Sequence, residues 1–164
     1  MRGKEEVGEM LSQKLERFLR KHKIYYQILL QSGNALCCSS PGNREMAKTV
    51  IVRANGKPLM VVIPAKGEVD LKELKVFLNV KDIQLEKECI CRELFPECEP
   101  EAIPPFGQLY KLPCVVDQSL QDAENIFFKG GSELVEVGIE GKEFFKILKG
   151  KIGSFTIKTT KMAV

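Results

Sequence analysis

Thr49-Val50-Ile51-Val52-Arg53-Ala54-Asn55-Gly56-Lys57-Pro58-Leu59-Met60-Val61-Val62-Ile63 is the stretch whose reading decides the fold. Two runs rich in β-branched residues, 49–54 and 59–63, flank Asn-Gly, the strongest short-range hairpin signal because its turn needs positive φ at both central residues. Outward from this hairpin, Asp70 stands where it can cap a helix through Leu78, with Glu73 three residues on and Leu71, Leu74 and Leu78 on one face. On the other side, residues 24–30 read as a strand of aromatic and branched residues, and 31–45, with Ser, Gly, Asn and Pro, as a loop. Val7, Met10, Leu11, Leu15, Phe18 and Leu19 recur at helical spacing and predict an amphipathic helix over about 5–22.

Past Leu78 the pattern predicts an acidic helix over about 85–94. Residues 95–107 hold four of the eight prolines, too irregular for helix or strand, and so form a structured loop. A short buried strand follows at 114–117. A hairpin of 125–128 and 134–139 crosses Lys129-Gly130-Gly131-Ser132, a helix covers 141–148, and a closing strand 153–158. Hairpins with helices interspersed argue an α+β domain around one mixed sheet or partial barrel, not alternating βαβ units.

The 164 residues suit one domain spanning 1–164, and 44% hydrophobic with 29% charged residues is a globular mixture. The longest apolar run, 59–65, is far too short for a membrane span. The charged start of the chain lacks the apolar region of a secretory signal, so a cytoplasmic protein is expected. Its six cysteines are then reduced thiols. Cys89-x-Cys91 with Cys98 lacks the paired spacing of zinc knuckles, and adjacent Cys37 and Cys38 lack that of a redox motif.

The single histidine narrows the chemistry further. His22 ends the basic run Arg17, Arg20, Lys21, where the helix dipole favours a cation. Multi-histidine zinc hydrolysis is excluded, and a Ser-His-Asp triad would need this exposed residue to cross the fold. Any hydrolysis here must use something other than a histidine base. The net charge of +3 hides two opposed patches. From Gly141 onward six lysines face one acid, while 82–101 holds seven acids against Lys87 and Arg92. The lysine-rich end reads either as a solvated surface or as a guide for RNA phosphates.

Five collinear pieces carry a resemblance. They are Arg44-Glu45-Met46-Ala47-Lys48-Thr49-Val50; Val61-Val62-Ile63-Pro64-Ala65 with Val69-Asp70-Leu71; Ala102-Ile103-Pro104-Pro105-Phe106-Gly107; 113–120 with Asp117; and Phe128-Lys129-Gly130-Gly131. Over about 24–148 the chain resembles the YbaK and prolyl-tRNA synthetase-associated domain family. That resemblance implies a mixed, barrel-like β-sheet with flanking helices and a pocket for the charged 3′ adenosine. It implies an aminoacyl-tRNA deacylase that hydrolyses mischarged tRNA with help from the substrate's own ribose hydroxyl, without metal or cofactor. The partner is then the aminoacylated 3′ end of tRNA, with delivery by a synthetase left open and neither DNA nor membrane expected.

Residue by residue, the resemblance implies that Lys48 holds a terminal phosphate and fixes the ester by position. Pro105, Phe106 and Gly107 fall in the family's Gly-x-x-x-Pro loop, whose preset backbone would aim amides at the developing oxyanion. Thr49, Ala102 and Ile103 fall among the substrate-binding positions. The loop glycine is replaced by Glu101, whose carboxylate at the pocket rim would either repel RNA or receive the substrate ammonium. Gly130 and Gly131 would bring backbone close to the aminoacyl group, with Lys129 where a small residue is common, and Asp117 would order the pocket. The segment 31–46 is shorter than the family's. Glu101 and Lys129 favour a rival reading, a module of the same fold that binds a tRNA end or nucleotide without hydrolysis.

Overall fold

The computed structural model describes residues 11–30 and 44–158, with ten strands and four helices among them. The deciding hairpin forms as its sequence predicts. Strand β2 (Arg44–Ala54) pairs antiparallel with β3 (Lys57–Pro64), from Ala47 opposite Pro64 to Ala54 opposite Lys57. The tip holds Asn55 and Gly56 at φ +49° and +79°. The Asn55 side-chain carbonyl also accepts from the amides of Lys81 and Asp82, both at 3.0 Å, tying the tip to the next helix's exit.

Around this pair the sheet grows in both directions. Strand β6 (Cys114–Asp117) adds parallel to β3, and β9 (Lys151–Gly153) parallel to β6. On the other side β7 (Asn125–Lys129) runs parallel to the first three residues of β2; β8 (Val135–Glu140) and then β1 (Gln27–Leu30) add antiparallel. The last three residues of β2 pair instead with β5 (Ile83–Leu85). A separate two-stranded sheet joins β4 (Gly67–Val69) to β10 (Thr156–Lys158). The result is a mixed eight-stranded sheet flanked by helices.

Two cores fill it. Helix α1 (Gln13–Lys21), capped by Ser12, buries Leu15, Phe18 and Leu19 in the larger core with Phe95, Phe106, Phe128 and Phe144. Helix α2 (Leu71–Leu78) buries Leu74 in the smaller core, against Val52, Val61, Ile63, Val115 and Phe155. Asp70 caps α2 by accepting from the Lys72 and Glu73 amides at 3.2 Å. Its own amide donates to the Phe155 carbonyl at 2.7 Å, so the capping box is half built and its other half holds a distant strand. Helix α3 (Glu88–Leu94) and helix α4 (Gly141–Ile147) complete the set.

Several expectations need correcting. The helix expected over 85–94 begins only at Glu88, because Ile83–Leu85 is held extended beside Val52–Ala54 and the Glu86 amide is taken by the Ile51 carbonyl at 2.9 Å. The closing strand expected over 153–158 is two strands in two sheets. Phe155 turns inward between them, its amide bound by Asp117 and its ring in the smaller core. The strand expected over 24–30 is Gln27–Leu30, and Arg44 and Glu45 belong to β2 and not to a loop. The rest of that loop, 31–43, with Cys37 and Cys38, and the first part of the helix expected over 5–22 lie outside the described residues. No helix among the described residues is long and apolar enough to cross a membrane.

Candidate functional site

Strand β2 is longer than either neighbour on its outer edge. It leaves β7 at Met46 and meets β5 at Val52, so 47–51 have no described strand beside them on that edge. Successive residues of a strand turn their main-chain groups to opposite edges. The Met46 carbonyl accepts from Ala65 on the β3 side, and the Ile51 carbonyl from Glu86 on the other. By this alternation Thr49 directs its amide and carbonyl into the gap. A cavity of about 550 Å³ opens there, lined by Lys48 and Thr49 from β2, Leu85, Glu86, Glu88 and Cys91 below, and Pro100, Glu101 and Ile103 from the proline-rich loop.

That loop is positioned from behind. The Glu99 amide donates to Gly131, and the Gly131 amide to Ala102, both at 2.9 Å, so 99–102 is laced to the turn between β7 and β8. Gly131 has φ +105°, and a Cβ there would stand 3.1 Å from the Cβ of Ser12. A Cβ on Gly130 would lie 2.8 Å from a Leu11 methyl, and the Gly130 carbonyl accepts from the Ser12 amide at 2.8 Å. The two glycines thus bring backbone against the start of α1 and the loop, and they hold Glu101 in place from outside the cavity. Lys129 is spent within its own hairpin, donating to the Glu133 carbonyl and pairing with Glu136.

Pro105, Phe106 and Gly107 anchor the loop in the larger core. The Phe106 ring is fully buried, with centroids 5.0 Å from Phe18 and 5.5 Å from both Phe128 and Phe144. Gly107 admits the Leu112 carbonyl to within 2.5 Å of where a Cβ would stand. None of the three lines the cavity. Of the loop residues that do, Glu101 and Ile103 have main-chain amides without a hydrogen-bond partner among the described residues. Ala102 is buried, its amide closing onto Glu99.

Charge is unevenly distributed around the cavity. Glu86 is paired with Arg53 at 3.0 Å and Glu88 with Arg92 at 2.8 Å. Glu101 meets another acid: its hydrogen bond with Glu133 is the main cause that raises the Glu133 carboxyl above its usual range, with the charges of Glu101 and Glu99 adding. Burial first, and then Glu86 and Glu88, push the Cys91 thiol up. The Thr49 hydroxyl oxygen is buried with no partner among the described residues.

Asp117 lies elsewhere. It closes β6 and lines a larger hollow of about 830 Å³, with Lys66, Ser119, Thr156 and Lys158 among its walls, that contains none of the other proposed site residues. Its carboxylate accepts from the Phe155 amide at 3.0 Å, the Ser119 amide at 3.1 Å and the Ser119 hydroxyl at 2.5 Å. Burial would raise this carboxyl, but the bonds from Phe155 and Ser119 outweigh it and hold it below its ordinary range. His22 caps the end of α1, exposed, its ring edge-on to Phe18 at 4.7 Å. The sequence reading passed over Leu85, Glu86, Glu88 and Cys91, which reach the cavity only because β5 and α3 return to β2. The Arg53 and Glu86 pair, 33 residues apart, left no local signal.

The aminoacyl-tRNA editing domain family model matches residues 37–147. Among solved structures, a candidate signal transduction protein from Marinobacter aquaeolei superposes with a TM-score of 0.73 at 16% identity, over 94% of this chain and 32% of its own; the chain thus spans about a third of that protein. A hypothetical protein gives 0.74 at 21% identity, over 88% of this chain and all of its own. A candidate trans-editing enzyme for prolyl-tRNA synthetase gives 0.73 at 14% identity, over 88% of this chain and 95% of its own. At these identities the superpositions speak to fold.

Proposed function

This chain belongs to the aminoacyl-tRNA editing domain family, and from that premise we propose that it acts as a trans-editing, cytoplasmic deacylase of mischarged tRNA. Water attacks the ester carbonyl, the bond to the ribose oxygen breaks, and that oxygen takes up a proton while the free amino acid leaves. The vicinal ribose hydroxyl of the substrate assists, so no histidine base is required. Lys48 holds the terminal phosphate as a compact cation and thereby fixes the ester over the loop. Oxyanion stabilisation falls to loop amides already aimed at the carbonyl, and the amides of Ile103 and Glu101, which have no partner among the described residues, are the candidates at the cavity wall.

One observation carries the reading: Lys48 and Thr49, about a third of the chain away from Glu101 and Ile103 in sequence, line one cavity with them at a gap in the sheet. A deacylation screen over a panel of mischarged tRNAs tests it, with at least one substrate hydrolysed faster than in buffer as the expected result. The rival, a non-hydrolysing module for a tRNA end or nucleotide, draws on the burial of Pro105, Phe106 and Gly107 away from the cavity and on the carboxylate of Glu101. Tight binding of aminoacylated tRNA with no turnover across the panel would select the rival. Whether a synthetase delivers the substrate is a separate question, answered by co-sedimentation.

A further inference from the structure

We propose that Glu101 is the residue that receives the α-ammonium group of the aminoacyl ester, making a free amino group a condition of entry. This rests on the deacylase reading above and adds to it the part of the substrate that is recognised. The argument starts from polarity. Of the three carboxylates lining the cavity, Glu86 and Glu88 are each neutralised by an arginine. Glu101 instead faces Glu133 and, beyond it, Glu99, whose carboxylate is occupied by the Ser132 hydroxyl at 3.3 Å and the Glu133 amide at 3.1 Å. Lys129, the nearby cation, is turned to Glu136 and the Glu133 carbonyl.

The cavity therefore carries a lysine, Lys48, on its β2 wall and an acid without an ion-pair partner among the described residues, Glu101, on its loop wall. An aminoacylated 3′ end is bipolar in the opposite sense, phosphate on one side of the ester and ammonium on the other. Only one orientation matches both charges, and it leaves the ester carbonyl between them, beside the amides of Ile103 and Glu101, which have no partner among the described residues.

The test pairs two substrates that differ only at nitrogen. The best substrate of the screen is compared with its N-acetylated form, which keeps the ester and loses the ammonium, in wild type and in Glu101→Gln. Wild type should favour the free amine in kcat/KM by about 10- to 100-fold, the range of a charge-assisted hydrogen bond. Glu101→Gln should lose most of that preference through KM, with a much larger loss on the free amine than on the N-acetyl ester. Binding of a non-hydrolysable 3′-amide analogue carrying the same aminoacyl group, with and without the acetyl, should repeat the pattern independently of turnover. Equal handling of both forms by an active wild type, or equal losses on both in Glu101→Gln, overturns the assignment. An enzyme inactive on the whole panel brings down the deacylase reading instead, and the analogue pair then decides whether Glu101 still reads the ammonium.

Discussion

Asp117 and Glu101 are carboxylates that the family resemblance places at the same pocket and the fold gives opposite situations. Asp117 is 3% exposed and accepts three hydrogen bonds that tie β6 to the turn after it and to Phe155. Glu101 is exposed, has no ion-pair partner among the described residues and is hydrogen-bonded to another acid, Glu133. A carboxylate whose acceptors are all filled by its own chain is an internal joint, since a buried polar group left unmet would cost stability. One that meets only another acid, in a residue lining a cavity, is available to something else. The same contrast separates the two hollows, one ordered around Asp117 and the other lined by main-chain groups that have no partner among the described residues.

The comparison breaks most readily at Lys48. Lys48→Ala should cost about 100-fold in kcat/KM, the scale of an ester misplaced by about 1 Å, while stability changes by less than about 1 kcal/mol. Partial activity in Lys48→Arg, measured on the same substrate, would favour phosphate holding over general-base chemistry, which a guanidinium cannot perform. Wild-type rates in a folded Lys48→Ala protein would empty the cavity of its proposed role.

Asp117→Ala should give the reverse pattern: about 3 kcal/mol of stability, or roughly 6–12 °C in Tm, with kcat/KM preserved below the transition. Because the folded carboxyl lies below the unfolded value of about 3.9, its stabilisation is present above that pH and fades as pH falls through the folded value. Asp117→Asn should therefore flatten the acid limb of a Tm-against-pH curve. A loss of turnover without a loss of stability would return Asp117 to the substrate.

Alkylation offers a finer probe. Among the described thiols, exposed Cys89 should react first, Cys91 slowly, and Cys98 and Cys114 last, since burial pushes Cys114 up to about 11 and also raises Cys98. Mass spectrometry over a time course reads the order. The smallest effect is expected at Thr49, where Thr49→Val removes a buried hydroxyl without a described partner and should change stability by no more than about 1 kcal/mol, in the stabilising direction.

What sequence could say followed from the range of each signal. The hairpin at Asn55-Gly56, the Asp70 cap and the strand at Cys114–Asp117 are local, written in neighbouring residues, and form with almost their expected bounds. The segments at 85–94 and 153–158 were misread because distant partners decide them: β2 draws Ile83–Leu85 into the sheet, and Asp117 and Asp70 together turn Phe155 inward. The cavity was half legible. Lys48, Thr49, Glu101 and Ile103 came from resemblance, whereas α3 contributes Cys91 and Glu88 through a return of the chain that no short motif encodes.

The pairing of β10 with β4 sets a schedule for the chain's birth. Thr156–Lys158 lies about 90 residues downstream of Gly67–Val69, and Phe155 is the last aromatic to enter the smaller core. At ribosomal speeds of about 5–20 residues per second, Val61, Ile63 and Leu74 wait roughly 4–18 s for the residue that covers them. Closing so long a loop also carries an entropic cost that only the finished contacts repay. The nascent protein thus exposes an apolar face beside a β-rich hairpin for seconds on every round of translation, which marks this face as the place where chaperones would engage it and where a chain interrupted before Phe155 would aggregate.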